Sequence, residues 1–189
     1  IQLLNERIHD SEEEELVSMD DKPISYYENV RNDLIPFIPN DAKNVLEVGC
    51  GSGMTGQEIK KRYGAFVAGI ELNSSAANAA KDVLDDVIIG DIENIELPYS
   101  DGSFDCILFA DVLEHLVDPF SVLVKVRRLL KKGGAIVTSI PNVQFHGVIH
   151  QLVEGNWTYE KEGILDATHL RFFTYKEIEK LFSRAGYSI

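Results

Sequence analysis

The sequence predicts an α/β fold: a doubly wound, mostly parallel sheet with helices on both faces. Three observations predict it. Apolar runs at 44–49, 65–70, 86–89, 104–109 and 134–140 have strand length and strand-forming composition. Most of them are unbroken rather than alternating, as strands buried on both faces should be. Segments with helix start and stop signals separate them, and a β-α-β-α order makes the sheet parallel.

The elements follow in chain order. Residues 1–22 are polar and acidic ("SEEEEL", "MDDK") and read as an N-terminal arm or solvated helix. "ISYYENVRNDLIPFIP" predicts a short amphipathic helix ended by Pro36 and Pro39. After the first strand, "GQEIKKRYG" is helical and stops at Gly64. "SSAANAAKDVL" is a second helix, with Ser74 or Ser75 as candidate N-cap. "DPFSVLVKVRRLLKKGG" carries Asp118 as N-cap, Pro119 in the first turn, basic residues in the last turn and a Gly-Gly stop. "TYKEIEKLFSRAG" opens with Thr174 and Glu177 in capping-box spacing. Residues 23–189 thus form one domain, in which 141–173 is a long segment on the acceptor side.

Composition narrows the functional classes. The chain has 189 residues and a formal net charge of −13, a field that repels phosphate backbones and anionic lipid. Nucleic acid and membrane surfaces are therefore not expected partners. No apolar run approaches the roughly 20 residues of a membrane span. Cys50 and Cys106 are the two cysteines; they lack metal-ligand spacing, sit near opposite ends of neighbouring strands and form no expected disulfide. A reducing, cytoplasmic compartment is the resulting expectation.

In an open parallel sheet the ligand lies outside the carboxyl ends of the strands, where strand order reverses. Four strand ends carry marked residues: the glycine loop after the first, Glu71, Asp91, and "ADVLEH" (110–115). Gly51-Ser-Gly53-Met-Thr-Gly56 fits the dinucleotide fingerprint, with Glu71 twenty residues past Gly51, so an NAD-dependent oxidoreductase is one reading. Three features oppose it. Gly49, Gly51 and Gly53 shift the pattern to G-x-G-x-G, Glu47 is an acid within a central strand, and Asp91 adds a second acid beside the pocket. A ligand with a cationic end, a ribose and an adenine, and no phosphate, suits these acids better.

The segments "VLEVGCGSG" (45–53), "GIELN" (69–73), "GDIENIELPYSDGSFDCILFADVLEHLVDP" (90–119) and "LLKKGGAIVTSIPN" (129–142) resemble the class I S-adenosylmethionine-dependent methyltransferases. "VLEHLVDP" is most similar to the small-molecule, type 11/23-like branch that includes the ubiquinone-pathway O-methyltransferases. "GNWTYEKEGILDATHLRFFT" (155–174) is similar to methyltransferase domains found near glycosyltransferases in bacterial surface-polysaccharide clusters.

The resemblance implies a Rossmann-like fold, S-adenosylmethionine as cofactor, and a small-molecule or glycan acceptor methylated at oxygen. It places Gly49, Gly51 and Gly53 against the methionine portion, Glu71 on the ribose hydroxyls and Leu72 along the adenine. Asp91 would accept from the adenine amine, with Ile92 on the ring's other face and Ala110 near the methionine amine. The helix bearing Tyr27 and Arg31 would cover the cofactor, Arg31 pairing with its carboxylate. A non-catalytic cofactor-binding module of the same fold is the alternative. The resemblance also implies further strands after the last helix, with "GYSI" opening a sixth; a longer polypeptide or a partner would then cover the sheet edge.

The acceptor side is read from the residues. His146 and His150 lie at i, i+4 on an expected helix and raise the question of a metal. They lack the adjacent Glu of the zinc motif and a clear third ligand, so no metal is expected, and both are read as partly buried histidines of a lid. His115 is a candidate base or cofactor contact. In "DATHLRFFT", His169 is the candidate general base, Arg171 would orient an anionic or sugar acceptor, and Asp166 would fix the loop or the imidazole tautomer. The competing view is that these three only tie the segment down.

Overall fold

The computed structural model describes Lys22 and residues 24–189; apart from Lys22, the acidic arm expected at 1–22 lies outside the described residues. Five strands form one sheet: β1 (Asn44–Val48), β2 (Phe66–Glu71), β3 (Asp86–Ile89), β4 (Phe104–Ala110) and β5 (Leu130–Ser139). Their order is β3-β2-β1-β4-β5 and every pairing is parallel. Order reverses between β1 and β4, which opens a crevice at their carboxyl ends.

Alternate residues of each strand feed two cores, because successive Cβ atoms point to opposite faces. Leu46, Val48, Ile70, Ile107 and Phe109 pack with Val122, Leu123 and Val126 of α3 (Pro119–Arg127) and Phe182 of α5 (Tyr175–Arg184). Val45, Val67, Cys106, Leu108 and Val137 pack with Ile59 of α1 (Met54–Tyr63), Ala80 of α2 (Ser74–Ala80), Ile35 and Ile38. Both faces are covered, which explains the unbroken apolar runs. Phe104 is a core residue, 2% exposed. Cys50 and Cys106 are free and buried; burial pushes the Cys106 thiol up to about 12.

Caps fix the helix starts. Asp118 accepts Ser121 N–H at 3.1 Å and Thr174 accepts Glu177 N–H at 3.4 Å, as expected. For α2 the cap is Asn73, not a serine: its Oδ1 accepts from Ser75 N and Ala76 N, both at 3.0 Å. Asn73 has extended backbone, so its side chain can fold back over the first turn.

Two elements differ from expectation. Residues 24–37 form two separate 3₁₀ turns, Ile24–Glu28 and Ile35–Phe37, rather than one helix. The carbonyls a helix would use are taken elsewhere: Tyr27 O accepts Ser52 N–H (2.9 Å) and Oγ–H (2.8 Å), and Asn29 O accepts Thr55 Oγ–H (3.3 Å). The glycine loop therefore shapes this segment. The second difference is α3, which ends at Arg127, with β5 starting at Leu130 rather than 134. Leu130 pairs with Phe104 and Ala135 with Cys106, so residues 131–134 bulge opposite Asp105. Asp105 accepts Lys131 Nζ (2.8 Å) and the N–H groups of Lys43 and Asn44 (both 2.9 Å), which pins the starts of three strands together.

After β5 the chain runs through α4 (His146–Val153) and an irregular stretch to α5. Residues 187–189 form no strand, and β5 is one of the two sheet edges, beside a groove lined by Leu34, Phe37, Ile178 and Tyr187. No helix among the described residues is long and apolar enough to cross a membrane.

Candidate active site

A cavity of about 370 Å³ opens at the carboxyl ends of β1, β2, β3 and β4. Gly49, Gly51, Glu71, Leu72, Asp91, Ile92, Ala110, Tyr27 and Arg31 all line it, as does His115. Gly53 does not. It sits in the left-handed region (φ 82°) at the start of α1, and a Cβ there would come within 2.7 Å of Val83. The space at Gly51 also serves the protein itself: a Cβ would lie 2.6 Å from the carbonyl of Tyr27. The glycines thus bring the 24–31 segment over the loop, besides exposing loop backbone to the cavity.

Glu71 is 7% exposed and both of its oxygens are held by backbone: Gly51 N–H at 2.9 Å and Asn73 N–H at 2.8 Å. Each oxygen keeps a lone pair for the cavity. Asp91 accepts Glu93 N–H (2.9 Å) and Asn94 Nδ2 (2.5 Å), so it closes its own turn while facing the cavity. Leu72, 59% exposed, and buried Ile92 both line the cavity. Glu47 is buried against the loop, and burial pushes its carboxyl up to about 8.

Arg31 is the strong cation among the lining residues, and it is already paired. It bonds Asp33 through Nε (3.0 Å) and Nη2 (2.8 Å), and Asp111 through Nη1. Asp111, which the sequence reading passed over, stands at φ 55° just after β4. Its backbone N–H donates to Ser139 Oγ (3.1 Å), and that hydroxyl donates to Asp111 Oδ1 (2.7 Å). The left-handed backbone is one Asp tolerates, and here it turns the carboxylate toward Arg31 and the cavity.

Behind His115 lies a second polar group. His115 Nδ1 is 3.2 Å from Thr168 O and 3.3 Å from Thr168 Oγ1. His169 is 8% exposed; its Nδ1 is 3.0 Å from Ile164 O and its Nε2 is 4.0 Å from Glu114 Oε1. The two imidazoles meet edge-on, with centroids 4.8 Å apart. Glu114 is 1% exposed and its carboxyl is pushed up to about 8 by burial, while burial and the neighbouring His169 push His115 down. Nothing local in "VLEH" marks Glu114, because its burial is set by the distant 166–174 segment, whose Leu170 and Arg171 N–H groups donate to its carbonyl.

The acceptor-side residues separate. His169 is buried behind His115 rather than presented to the cavity. Asp166 is 3% exposed and holds Lys22 Nζ at 2.5 Å, Thr168 N–H at 2.9 Å and Thr168 Oγ–H at 2.7 Å. It therefore ties the segment down and orients Thr168. Arg171 is exposed and donates to the carbonyls of Leu170 (3.0 Å) and Val117. His146 and His150 are both exposed on α4, not partly buried, and neither lines the cavity. The amphipathic helix turns Val148 inward and leaves both histidines on its outer side.

Residues 24–189 match the family model described as "Methyltransferase domain". The chain belongs to that family, in its S-adenosylmethionine-dependent class. The ubiquinone biosynthesis O-methyltransferase of Coxiella burnetii is 29% identical over 121 residues, covering 62% of this chain and 51% of that protein. The chain thus spans about half the length of the curated relatives it matches. Among solved structures, an S-adenosylmethionine-dependent methyltransferase of Thermotoga maritima, described as a possible histamine N-methyltransferase, has TM-score 0.65 and 25% identity. It covers 83% of this chain and 69% of its own. The plantazolicin methyltransferase BpumL, solved with S-adenosylhomocysteine, shares the fold at TM-score 0.65 and 20% identity, over 86% of this chain and 67% of its own. An oxidoreductase reading falls with this assignment. The cavity's acids and its paired arginine give it little to offer a pyrophosphate.

Proposed function

We propose that this domain transfers the methyl group of S-adenosylmethionine to a hydroxyl of a small-molecule or glycan acceptor. One observation carries the reading: four strand ends converge on a single cavity whose lining includes the carboxylates of Glu71 and Asp91 and the apolar side chains of Leu72 and Ile92. Glu71 would accept from both ribose hydroxyls with its free lone pairs. Leu72 and Ile92 would sandwich the adenine, and Asp91 would accept from its amine. The methionine end would reach Gly49, Gly51 and Ala110. Its carboxylate would meet Arg31, displacing the solvent-exposed Asp33 from that guanidinium.

The chemistry asks the protein for alignment and a place for one proton. The acceptor O–H loses its proton and the oxygen attacks the methyl carbon. A C–O bond forms as the S–C bond breaks, and that bonding pair returns to sulfur. The products are the methyl ether, S-adenosylhomocysteine and a proton. The acceptor would enter between Tyr26, His115 and the 141–173 segment. Exposed Trp157 and Tyr159, packed around Phe172 at 5.2 and 6.2 Å, offer flat apolar faces for a sugar or aromatic ring. The O-methyltransferase among its relatives supports oxygen as the acceptor atom.

Titration calorimetry with S-adenosylhomocysteine and with NADH, followed by labelled methyl transfer over glycans and small phenols, tests the proposal. Binding of the homocysteine product with methylated acceptor supports it. Absence of that binding overturns it, and binding without transfer to any acceptor assigns the fold to a non-catalytic module.

A further inference from the structure

Among the described residues, four buried side-chain atoms lack a hydrogen-bond partner, and three belong to one cluster: both carboxylate oxygens of Glu114 and Nε2 of His115. His169 Nε2 completes it. One ligand atom from each of Glu114, His115 and His169 lies within 4.8 Å of the others. Buried acceptors are ordinarily satisfied, so an unpaired group of this kind asks for a missing partner.

The proton positions can be derived. Thr168 Oγ–H is spent on Asp166 at 2.7 Å, so this hydroxyl faces His115 Nδ1 as an acceptor, and Thr168 O can only accept. Nδ1 of His115 therefore carries the hydrogen. His169 Nδ1 faces the carbonyl of Ile164 at 3.0 Å and carries its hydrogen for the same reason. Both rings then turn Nε2 into the cluster, where Glu114 adds the two oxygens of its carboxyl group. No hydrogen bond joins the three side chains, and both Glu114 oxygens and His115 Nε2 are left without a partner. Histidines anchored through Nδ1 to carbonyls, with Nε2 free, are arranged as metal ligands are.

We propose that Glu114, His115 and His169 bind one divalent first-row transition-metal ion, in the class of Zn²⁺ or Mn²⁺. Two imidazoles and one carboxylate form a ligand set that leaves positions open, as catalytic rather than structural sites do. His115 belongs to the cavity wall, so the ion would sit one side chain behind the place where the acceptor would enter. Ligand atoms around such an ion stand roughly 3.4 Å apart for bonds of about 2.1 Å, so the side chains close by about an ångström on binding. An acceptor hydroxyl that reached past His115 onto the ion would have its pKa lowered, its proton leaving to solvent as the oxygen becomes the nucleophile. Asp166 is then a positioning residue: it orients Thr168, which sets the tautomer of His115.

The catalytic role rests on the methyl-transfer reading; the binding of the ion does not. The test uses the 189-residue chain, stripped with chelator and titrated with Co²⁺. We expect one equivalent bound, with visible d–d absorption that an equivalent of Zn²⁺ abolishes. E114Q, which keeps the side chain's shape, should weaken binding at least about a hundredfold and leave S-adenosylhomocysteine affinity within about twofold. Wild-type protein that binds no stoichiometric Co²⁺ overturns the proposal, as does E114Q that binds it equally well. Should E114Q fail to fold, H169Q stands in its place, and the wild-type spectrum with Zn²⁺ competition decides alone. Failure of S-adenosylhomocysteine to bind sinks the methyl-transfer reading but not the metal site. Metal bound while chelated enzyme keeps full turnover confines the ion to a structural role and removes the catalytic part of the proposal.

Discussion

Glu71 and Glu114 are both buried carboxylates at the carboxyl end of the sheet, and they are opposites. Glu71 is met by two backbone N–H groups from its own neighbourhood. Glu114 is met by none, although its backbone carbonyl accepts Leu170 N–H and Arg171 N–H, both at 2.9 Å. A carboxylate with two fixed donors is a charged, preorganised acceptor. A carboxylate without them is an open coordination position awaiting a cation or a proton. In the proposed reading the first belongs to cofactor binding and the second to the metal site.

Breaking the satisfied acid should produce the largest effect. Glu71→Ala would remove the proposed ribose contacts and also the anchor of Gly51, so affinity for S-adenosylhomocysteine should fall by about 3 kcal/mol, over a hundredfold. Calorimetry checks this, and unchanged affinity would remove Glu71 from the ribose. Breaking the unsatisfied acid should act differently. Glu114→Gln should cut turnover about a hundredfold, yet the melting temperature of the stripped protein should hold or rise, since a poorly solvated carboxyl is replaced by a neutral amide. Equal losses of stability and turnover would make Glu114 a structural residue.

Glu47 sharpens the comparison because it lies between the two. It is 2% exposed and Oε2 has no partner, while Gly56 N–H lowers its carboxyl somewhat against the dominant effect of burial. Its folded pKa of about 8 stands above the ordinary 4.5. Between these values the folded protein holds a proton that the unfolded chain releases. Stability should therefore fall as pH rises through that window, by at most ~1.4 kcal/mol per pH unit. Urea denaturation of wild type and Glu47→Gln at several pH values checks this; parallel curves would show that Glu47 titrates normally. The smallest effect is expected at Leu72, which has no charge to satisfy. Leu72→Ala should weaken cofactor binding by about 1 kcal/mol, roughly fivefold, without moving the melting temperature, because the side chain is exposed until adenine covers it.

Much of the cofactor side was legible before any coordinates. The parallel sheet followed from apolar runs and cap residues, and Asp118 and Thr174 cap where their spacing says. Gly49, Gly51, Glu71, Asp91 and Ala110 stand at or just past the carboxyl ends of four strands, so Brändén's rule brings them together once the strands are recognised. Where local reading failed, longer-range contacts had overridden it. Residues 24–37 have a helical pattern, but the glycine loop takes the carbonyls of Tyr27 and Asn29. The Gly-Gly stop after α3 became a bulge because Asp105 draws Lys131 into the sheet.

The sequence by itself determined the strand ends, because each depends on turn and cap chemistry within a few residues of its own strand. Only the tertiary structure decided which histidines matter. His146 and His150 share a helix and suggest a site, yet both face outward. His115 and His169 lie in different segments, and nothing in either stretch announces the other. Leu170 and Arg171 donating to Glu114 O bring the 166–174 segment to the end of β4. The physical reason is that a buried cluster is made by closing a long loop. The groups that pay for the closure are backbone donors, which carry no mark in the sequence.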